Sequence, residues 1–327
     1  MARLFLRLSL ALSFFLISAC AATPQTDALL ATPPEFLPSQ IELIDTPFYP
    51  QRDFQCGPAA LATVLQTQNI NVTPDDLTSQ VYLPGREGSL QIELVATARR
   101  YGLLPYQLNP ELRDLLTEVA AGHPVLVMQN LSLESLPQWH YAVVIGYDLN
   151  TQQLVLRSGT TERWLTPFDV FERTWQRAGH WALVVSAPSD IPVTANVERF
   201  LQTAHAFEEV NQPDLARQAY EAATQRWPEQ TSAWLMRGNL AFAMQDFSTS
   251  IQALGEATRL APEDVTGWNN LAYALDAFGC GDQVKAALDC AQKIAPNDAN
   301  VQDSARDLLV RPLSSDHSGC PKIQCAP

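Results

Sequence analysis

The stretch Phe48-Tyr49-Pro50-Gln51-Arg52-Asp53-Phe54-Gln55-Cys56-Gly57-Pro58-Ala59-Ala60-Leu61 decides how the first half of this chain is read. A cysteine is followed by Gly-Pro and then by a run of helix formers reaching Gln68, which sets the sulphur at a helix N-terminus. Pro58 suits the first helical turn, where its missing N–H would lack a partner anyway. There the helix dipole and the unpaired N–H groups favour the thiolate, the reactive form of cysteine. The Cys56 backbone N–H is also placed to help hold an oxyanion. The side-chain amide of Gln51 offers a second donor, with Gln55, directly beside the cysteine, as the competing choice.

Working outward, the residues after this helix continue as helices. Thr73-Pro74-Asp75-Asp76 is an N-cap with proline at N1. Ser89 opens a helix carrying apolar Leu90, Ile92, Leu94, Val95 and Ala98, ended by Gly102, and Asn109-Pro110 opens another, ended by Gly122. From there the pattern changes to strands at residues 125–130, 140–147, 153–157, 163–166 and 180–186. A turn at Asp148-to-Thr151 and a short helix over 167–176 separate some of them. Helices followed by an antiparallel sheet make an α+β domain, assigned to residues 41–187.

Residues 188–196 read as a linker, and beyond them a period is visible. Trp227-Pro228, Ala261-Pro262 and Ala295-Pro296 recur every 34 residues, as do Phe200, Trp234 and Trp268, and Ala223, Ala257 and Ala291. This resembles the tetratricopeptide repeat, in which each unit is a helical hairpin that buries its apolar face by stacking on a neighbour. The resemblance implies three units, at 197–230, 231–264 and 265–298, with Thr203 and Arg237 standing where the repeat prefers leucine.

Gln51…Cys56-Gly57-Pro58-Ala59 resembles the nucleophile motif of the bacteriocin-processing, double-glycine leader peptidases and their wider relatives, peptidase family C-39, which are papain-like. The family's second hallmark, a histidine opening a strand, is matched by His140-Tyr141-Ala142-Val143-Val144-Ile145-Gly146-Tyr147-Asp148. The resemblance thus implies a papain-like cysteine-peptidase domain over residues 41–187. Cys56 is its nucleophile, His140 its general base and acid, and Gln51 its oxyanion donor. His180, which also starts an apolar strand, is the second choice for the imidazole. The family places an aspartate about 17 residues after the histidine, but here that region reads Leu156-Arg157-Ser158-Gly159. Ser158 or a backbone carbonyl then orients the ring, or the domain is a catalytically weak or inactive binding module. Hydrolysis and acyl transfer to an amine use the same dyad and are not separated. The leader-processing relatives are fused to export ATPases. This chain has no Gly-rich phosphate loop, so neither ATP nor a leader substrate follows, and no cofactor or metal is implied.

The N-terminus reads as an export signal. Arg3 and Arg7 precede a stretch from Leu8 to Ile17 that is apolar but for Ser9 and Ser13, too short to span a bilayer. Ile17-Ser18-Ala19-Cys20 resembles the bacterial lipobox, which implies a signal peptide over 1–19 and lipidation of Cys20; an ordinary signal cleaved near Ala19 or Ala22 is the alternative. Ala21 in the next position implies an outer-membrane anchor facing the periplasm. Residues 20–40, with Pro24, Pro33, Pro34 and Pro38, read as an extended tether. The 327 residues carry a net charge of −14, and removing residues 1–19 takes away two arginines and no acids, which makes it −16. Such acidity argues against nucleic acid and against electrostatic adhesion to anionic lipid, leaving the Cys20 lipid as the membrane contact. A protein or peptide substrate and a protein partner on the repeats are the expected partners. Cys280 and Cys290 lie in the last repeat, and Cys320 and Cys325 in the tail at 299–327. In an oxidising compartment they predict one or two disulfides, with three pairings open.

Overall fold

The computed structural model describes residues 22–51, 55–310 and 315–325. The signal segment and Cys20 lie outside them, as do residues 52–54 of the Cys56 motif. The chain divides into two compact units, one of residues up to Thr97 with Gln107–Val185, the other of Ala98–Tyr106 with Ser186 onward.

The front of the chain forms α1 (Pro24–Ala31), β1 (Gln40–Glu42), α2 (Cys56–Thr67) and α3 (Pro74–Val81). A short hairpin, β2 (Tyr82–Leu83) and β3 (Gly88–Ser89), precedes α4 (Gln91–Arg100) and β4 (Leu104–Gln107). Then come α5 (Leu112–Ala120), β5 (Val125–Asn130), β6 (Trp139–Asp148), β7 (Gln153–Ser158), β8 (Thr161–Pro167), α6 (Phe168–Gln176) and β9 (Ala182–Ser186). The α+β architecture read from the sequence is the one observed. Thr73 caps α3 in a reciprocal box with Asp76, whose carboxylate accepts from the Thr73 N–H at 2.8 Å.

The strands run β9-β5-β6-β7-β8, each antiparallel to its neighbour. The centre is β6, buried from Tyr141 to Tyr147 and flanked on both edges, which is why its sequence is a continuous apolar run instead of an alternation. Where β5 stops, at the Val125–Val144 pair, β1 continues along the same edge of β6. A Cβ on Gly146 would sit 2.5 Å from the Ile41 carbonyl oxygen, so that pairing requires glycine. The strands β1 to β4 have two to four residues each, too few to show a period.

One expectation fails. The segment 20–40 is not an extended tether throughout: Pro24–Ala31 is helical and docked, with Leu29 buried. The buried Glu172 of α6 accepts from the Gln25 N–H (3.0 Å) and the Thr26 N–H (2.6 Å), placing a carboxylate on the helix N-terminus. The Gln25 amide in turn donates to the Pro110 carbonyl at 3.0 Å. The stabilising partner stands some 146 residues away in sequence, so no local pattern announces the helix.

From Val197 onward the second unit is built of helices. Its hairpins are α7 (Val197–Glu209) with α8 (Pro213–Arg226), α9 (Thr231–Ala243) with α10 (Phe247–Leu260), and α11 (Val265–Phe278) with α12 (Gly281–Ile294). The 34-residue period has a visible cause. The Trp234 indole N–H donates to the Pro228 carbonyl at 2.8 Å and that of Trp268 to the Pro262 carbonyl at 2.9 Å. In the following position Gln302 does the same to Pro296, at 3.1 Å. Each early side chain thus satisfies a carbonyl where the preceding helix ends. Arg237, in a leucine position, lies over the Trp234 ring and donates to the Thr224 hydroxyl.

The region expected as a tail begins with a further helix, α13 (Ala299–Leu309), whose Val301 and Leu308 are buried in the same core as Leu288 and Ala291. Of the three pairings, the structure takes Cys280–Cys320 and Cys290–Cys325. Each closes a loop spanning 40 and 35 residues respectively. Loop-closure entropy for such lengths is worth about 2–4 kcal/mol. Replacing Cys280 and Cys320 together by serine is therefore expected to lower the unfolding free energy of this unit by that order, seen as a fall in its denaturant midpoint. An unchanged midpoint would show that the tail adds nothing to it.

Candidate active site

Cys56 is the first residue of α2, and Gln55 caps the helix without a side-chain hydrogen bond, so the first-turn N–H groups stay available. The Cys56 thiol is the one free cysteine among the described residues. Burial pushes it above its ordinary pKa, outweighing hydrogen bonds from the backbone N–H groups of Tyr141, Gly57 and Cys56 itself, which pull it down. This qualifies the expectation of a thiolate at the helix start: the N–H groups do act on the sulphur, but desolvation is the larger effect.

His140 is the second residue of β6, one place before the N–H that reaches the sulphur. Its Nε2 is 2.9 Å from the Ser158 hydroxyl. The reason is register: β7 runs one residue past the Val143–Arg157 pair, which carries Ser158 to the His140 end of β6. Burial lowers the His140 pKa, so both partners are held towards their neutral forms. Asp148 stands at the opposite end of β6, its carboxylate accepting from the Asn150 and Thr151 N–H groups of the turn.

Gln51 joins the same site. Its backbone N–H donates to Gly159 (3.0 Å) and its side-chain amide to the Tyr141 carbonyl (3.3 Å). The buried Arg157 guanidinium fixes the chain ahead of it by donating to the Thr46 (2.8 Å), Ile44 (3.2 Å) and Glu162 (2.8 Å) carbonyls. Gln51, Cys56 and His140 open on one cavity of about 940 Å³. Its other walls come from the β2–β3 hairpin (Arg86, Glu87, Ser89) and from Met128 and Trp139.

The hairpin sits close to the nucleophile. A Cβ on Gly57 would lie 2.3 Å from the Ser89 hydroxyl oxygen, and the Tyr141 hydroxyl donates to the Ser89 carbonyl at 3.2 Å. The Tyr141 ring meets Trp181 edge-on at 5.9 Å, and burial followed by the charge of Cys56 holds its phenol protonated well above its ordinary range. Sequence reading put Ser89 at the start of a helix, whereas it ends β3 and the helix begins at Gln91, and it gave Tyr141 only as part of the histidine motif; the hairpin was missed. The small side of Gly57 was the available signal, but it could not name what approaches it.

The competing residues lie elsewhere. His180 has a positive φ of 54° and packs edge-on against Trp175, at 4.7 Å. Gln55 contributes its carbonyl to the first turn of α2 and does not line the cavity. Of the two tryptophans near the strand starts, Trp139 is exposed at the cavity and Trp181 is buried. Among the described residues one group could gather a metal, Cys280, His317 and Cys320, and its two sulphurs are bonded to each other.

Residues 43–183 match the Peptidase_C39 like family, and residues 201–245 and 235–300 match the Tetratricopeptide repeat. The first unit thus has the fold of a C39-like peptidase domain. The chain as a whole carries a peptidase C39-like domain followed by tetratricopeptide repeats. Among solved structures, a candidate C39-like peptidase from Bacillus anthracis is 20% identical, with a TM-score of 0.38, over 45% of this chain and 98% of that one. The peptidase domain of Streptococcus ComA, a bi-functional ABC transporter, is 18% identical (TM-score 0.35) over 43% of this chain and 98% of that one. The Arabidopsis OM64 tetratricopeptide domain is 14% identical (TM-score 0.33) over 35% of this chain and 93% of that one. No curated protein matches the chain.

Proposed function

We propose that this protein is a cell-envelope cysteine peptidase, lipid-anchored through Cys20 at the periplasmic face of the outer membrane. Its repeats recruit a protein partner or substrate. The observation that carries the reading is one cavity holding a cysteine at a helix start and a histidine whose Nε2 is engaged by Ser158. With Nε2 so held, Nδ1 is the nitrogen for proton transfer.

Since burial disfavours both charges, His140 acts as a general base and not as half of a standing ion pair. It takes the thiol proton as the sulphur attacks the scissile carbonyl carbon. The oxyanion is met by the Cys56 N–H and by the Gln51 amide hydrogen not given to Tyr141. Collapse breaks the C–N bond, His140 returns the proton to the leaving amine, and water then hydrolyses the thioester. An amine in place of water would make the same site a transferase.

Ser158 in the aspartate position and the raised thiol favour a second reading, a weakly active or inactive binding module on a repeat scaffold. Incubating the purified chain with a peptide library, beside Cys56→Ala, separates the two. Cleavage that disappears with the thiol supports the peptidase, and none in either protein supports the module. A neutral hydrogen bond is worth about 1–1.5 kcal/mol. Ser158→Ala is therefore expected to lower kcat/KM roughly tenfold with KM little changed; full activity would remove Ser158 from the site.

A further inference from the structure

We infer that the β5–β6 loop, residues 131–138, rests on the lipid surface, so that the Cys56 cavity opens beside the membrane onto membrane-attached polypeptide substrates. The inference rests on the proposed lipid at Cys20.

Ala22 and Pro24 line a shallow depression together with Leu133, Glu134, Arg173 and Arg177. Cys20 is two residues before Ala22, and two residues reach at most about 7 Å. The docking of α1 on Glu172 removes the long leash that a free tether would give. A bilayer holding Cys20 therefore lies close to the loop.

The loop is built to present apolar groups. Leu133 is 69% exposed, Leu136 74%, Leu131 45% and the adjoining Trp139 50%. Single exposed leucines are ordinary, but four large apolar residues within nine positions form a patch, and tryptophan suits a membrane interface. The patch is held in shape by the buried Asn130, whose carbonyl Oδ1 accepts from the Ser132 (3.0 Å) and Gln138 (2.9 Å) N–H groups. Beside it, Arg173 pairs with Asp169 and Arg177 donates to the Asn130 carbonyl, while Glu134 is the loop's own acid. The near balance of these charges lets apolar contact dominate. The end of the loop, Pro137 and Gln138, walls the catalytic cavity together with Trp139. One segment thus touches both the exit towards Cys20 and the site of chemistry.

The test uses the full lipidated chain carrying Cys56→Ser, in vesicles whose acyl chains are brominated, so that its outcome does not depend on catalysis. Trp139→Phe isolates the emission of that residue. Quenching of Trp139 by bromolipid, lost in Leu133→Asp/Leu136→Asp while the protein stays on the vesicles, is the expected result. In the Cys56 protein the same double substitution should slow cleavage of a vesicle-anchored peptide several-fold and leave a soluble peptide unaffected. Trp139 quenched by aqueous iodide and untouched by bromolipid, in a chain whose mass shows a lipid on Cys20, would overturn the loop contact alone. A mature N-terminus without lipid would overturn the anchor and this inference with it.

Discussion

Alkylation of Cys56 by iodoacetamide is expected to titrate above the ordinary thiol value of about 8.5, and not below neutrality. The sign follows from the two environments. Burial raises the Cys56 thiol, so its thiolate appears only as pH rises beyond the ordinary value; burial lowers His140, so its imidazole is already neutral at pH 7. The proposed dyad would thus rest as thiol and imidazole. Cleavage should therefore fade only below the ordinary histidine value of about 6.5, and later than a free imidazole would dictate. Removing the base by His140→Ala should cost about 10²- to 10⁴-fold in kcat/KM. Cys56→Ala should leave nothing above background, because no other described cysteine is free. Rapid alkylation well below pH 8 that collapses in His140→Ala would mean a standing thiolate–imidazolium pair, and would sink the general-base mechanism.

Gly57→Ala should damage activity far more than stability. The new methyl would lie 2.3 Å from the Ser89 hydroxyl oxygen and 2.5 Å from its Cβ, inside any allowed contact. Something must move, and the two-residue strand β3 is held less firmly than a twelve-residue helix packed on β6. Overpacking of this kind costs about 1–3 kcal/mol, partly offset by the roughly 1 kcal/mol that alanine gains over glycine in a helix. The hairpin, however, walls the cavity over Cys56, and a displacement near 1 Å in an active site can cost about 100-fold in rate. Adding Ser89→Gly removes both clashing atoms, so the double variant should recover most of the loss, a coupling that a cycle of the two substitutions measures. If Gly57→Ala alone turned over like wild type, the hairpin would have no part in placing the substrate.

How much of this was legible depends on how far apart the determining residues stand. The repeats could be read because each is set by contacts inside one hairpin and its junction, such as Trp234 to Pro228 and Trp268 to Pro262. The α+β order could be read because β5 to β9 each carry enough residues to show a strand pattern between turns. The helix at Pro24–Ala31 could not, since its N-terminus is satisfied by Glu172. The short strands at Tyr82 and Gly88 have no period to find, and with them the wall of the site was missed.

The chemistry divides in the same way. By itself the sequence determined the residue types: a cysteine ahead of Gly-Pro, a histidine opening an apolar strand, and a serine where a carboxylate was expected. These are properties of short segments, where backbone geometry follows from local side chains. Only the tertiary structure decided that Ser158 meets His140 Nε2, that Cys280 pairs with Cys320, and that Ser89 closes over Gly57. It also decided the direction in which each group is pushed, the Cys56 thiol up and the His140 imidazole down. A helix start favours a thiolate through groups one turn away, whereas the desolvation that outweighs it is the summed effect of every chain segment folded around the sulphur.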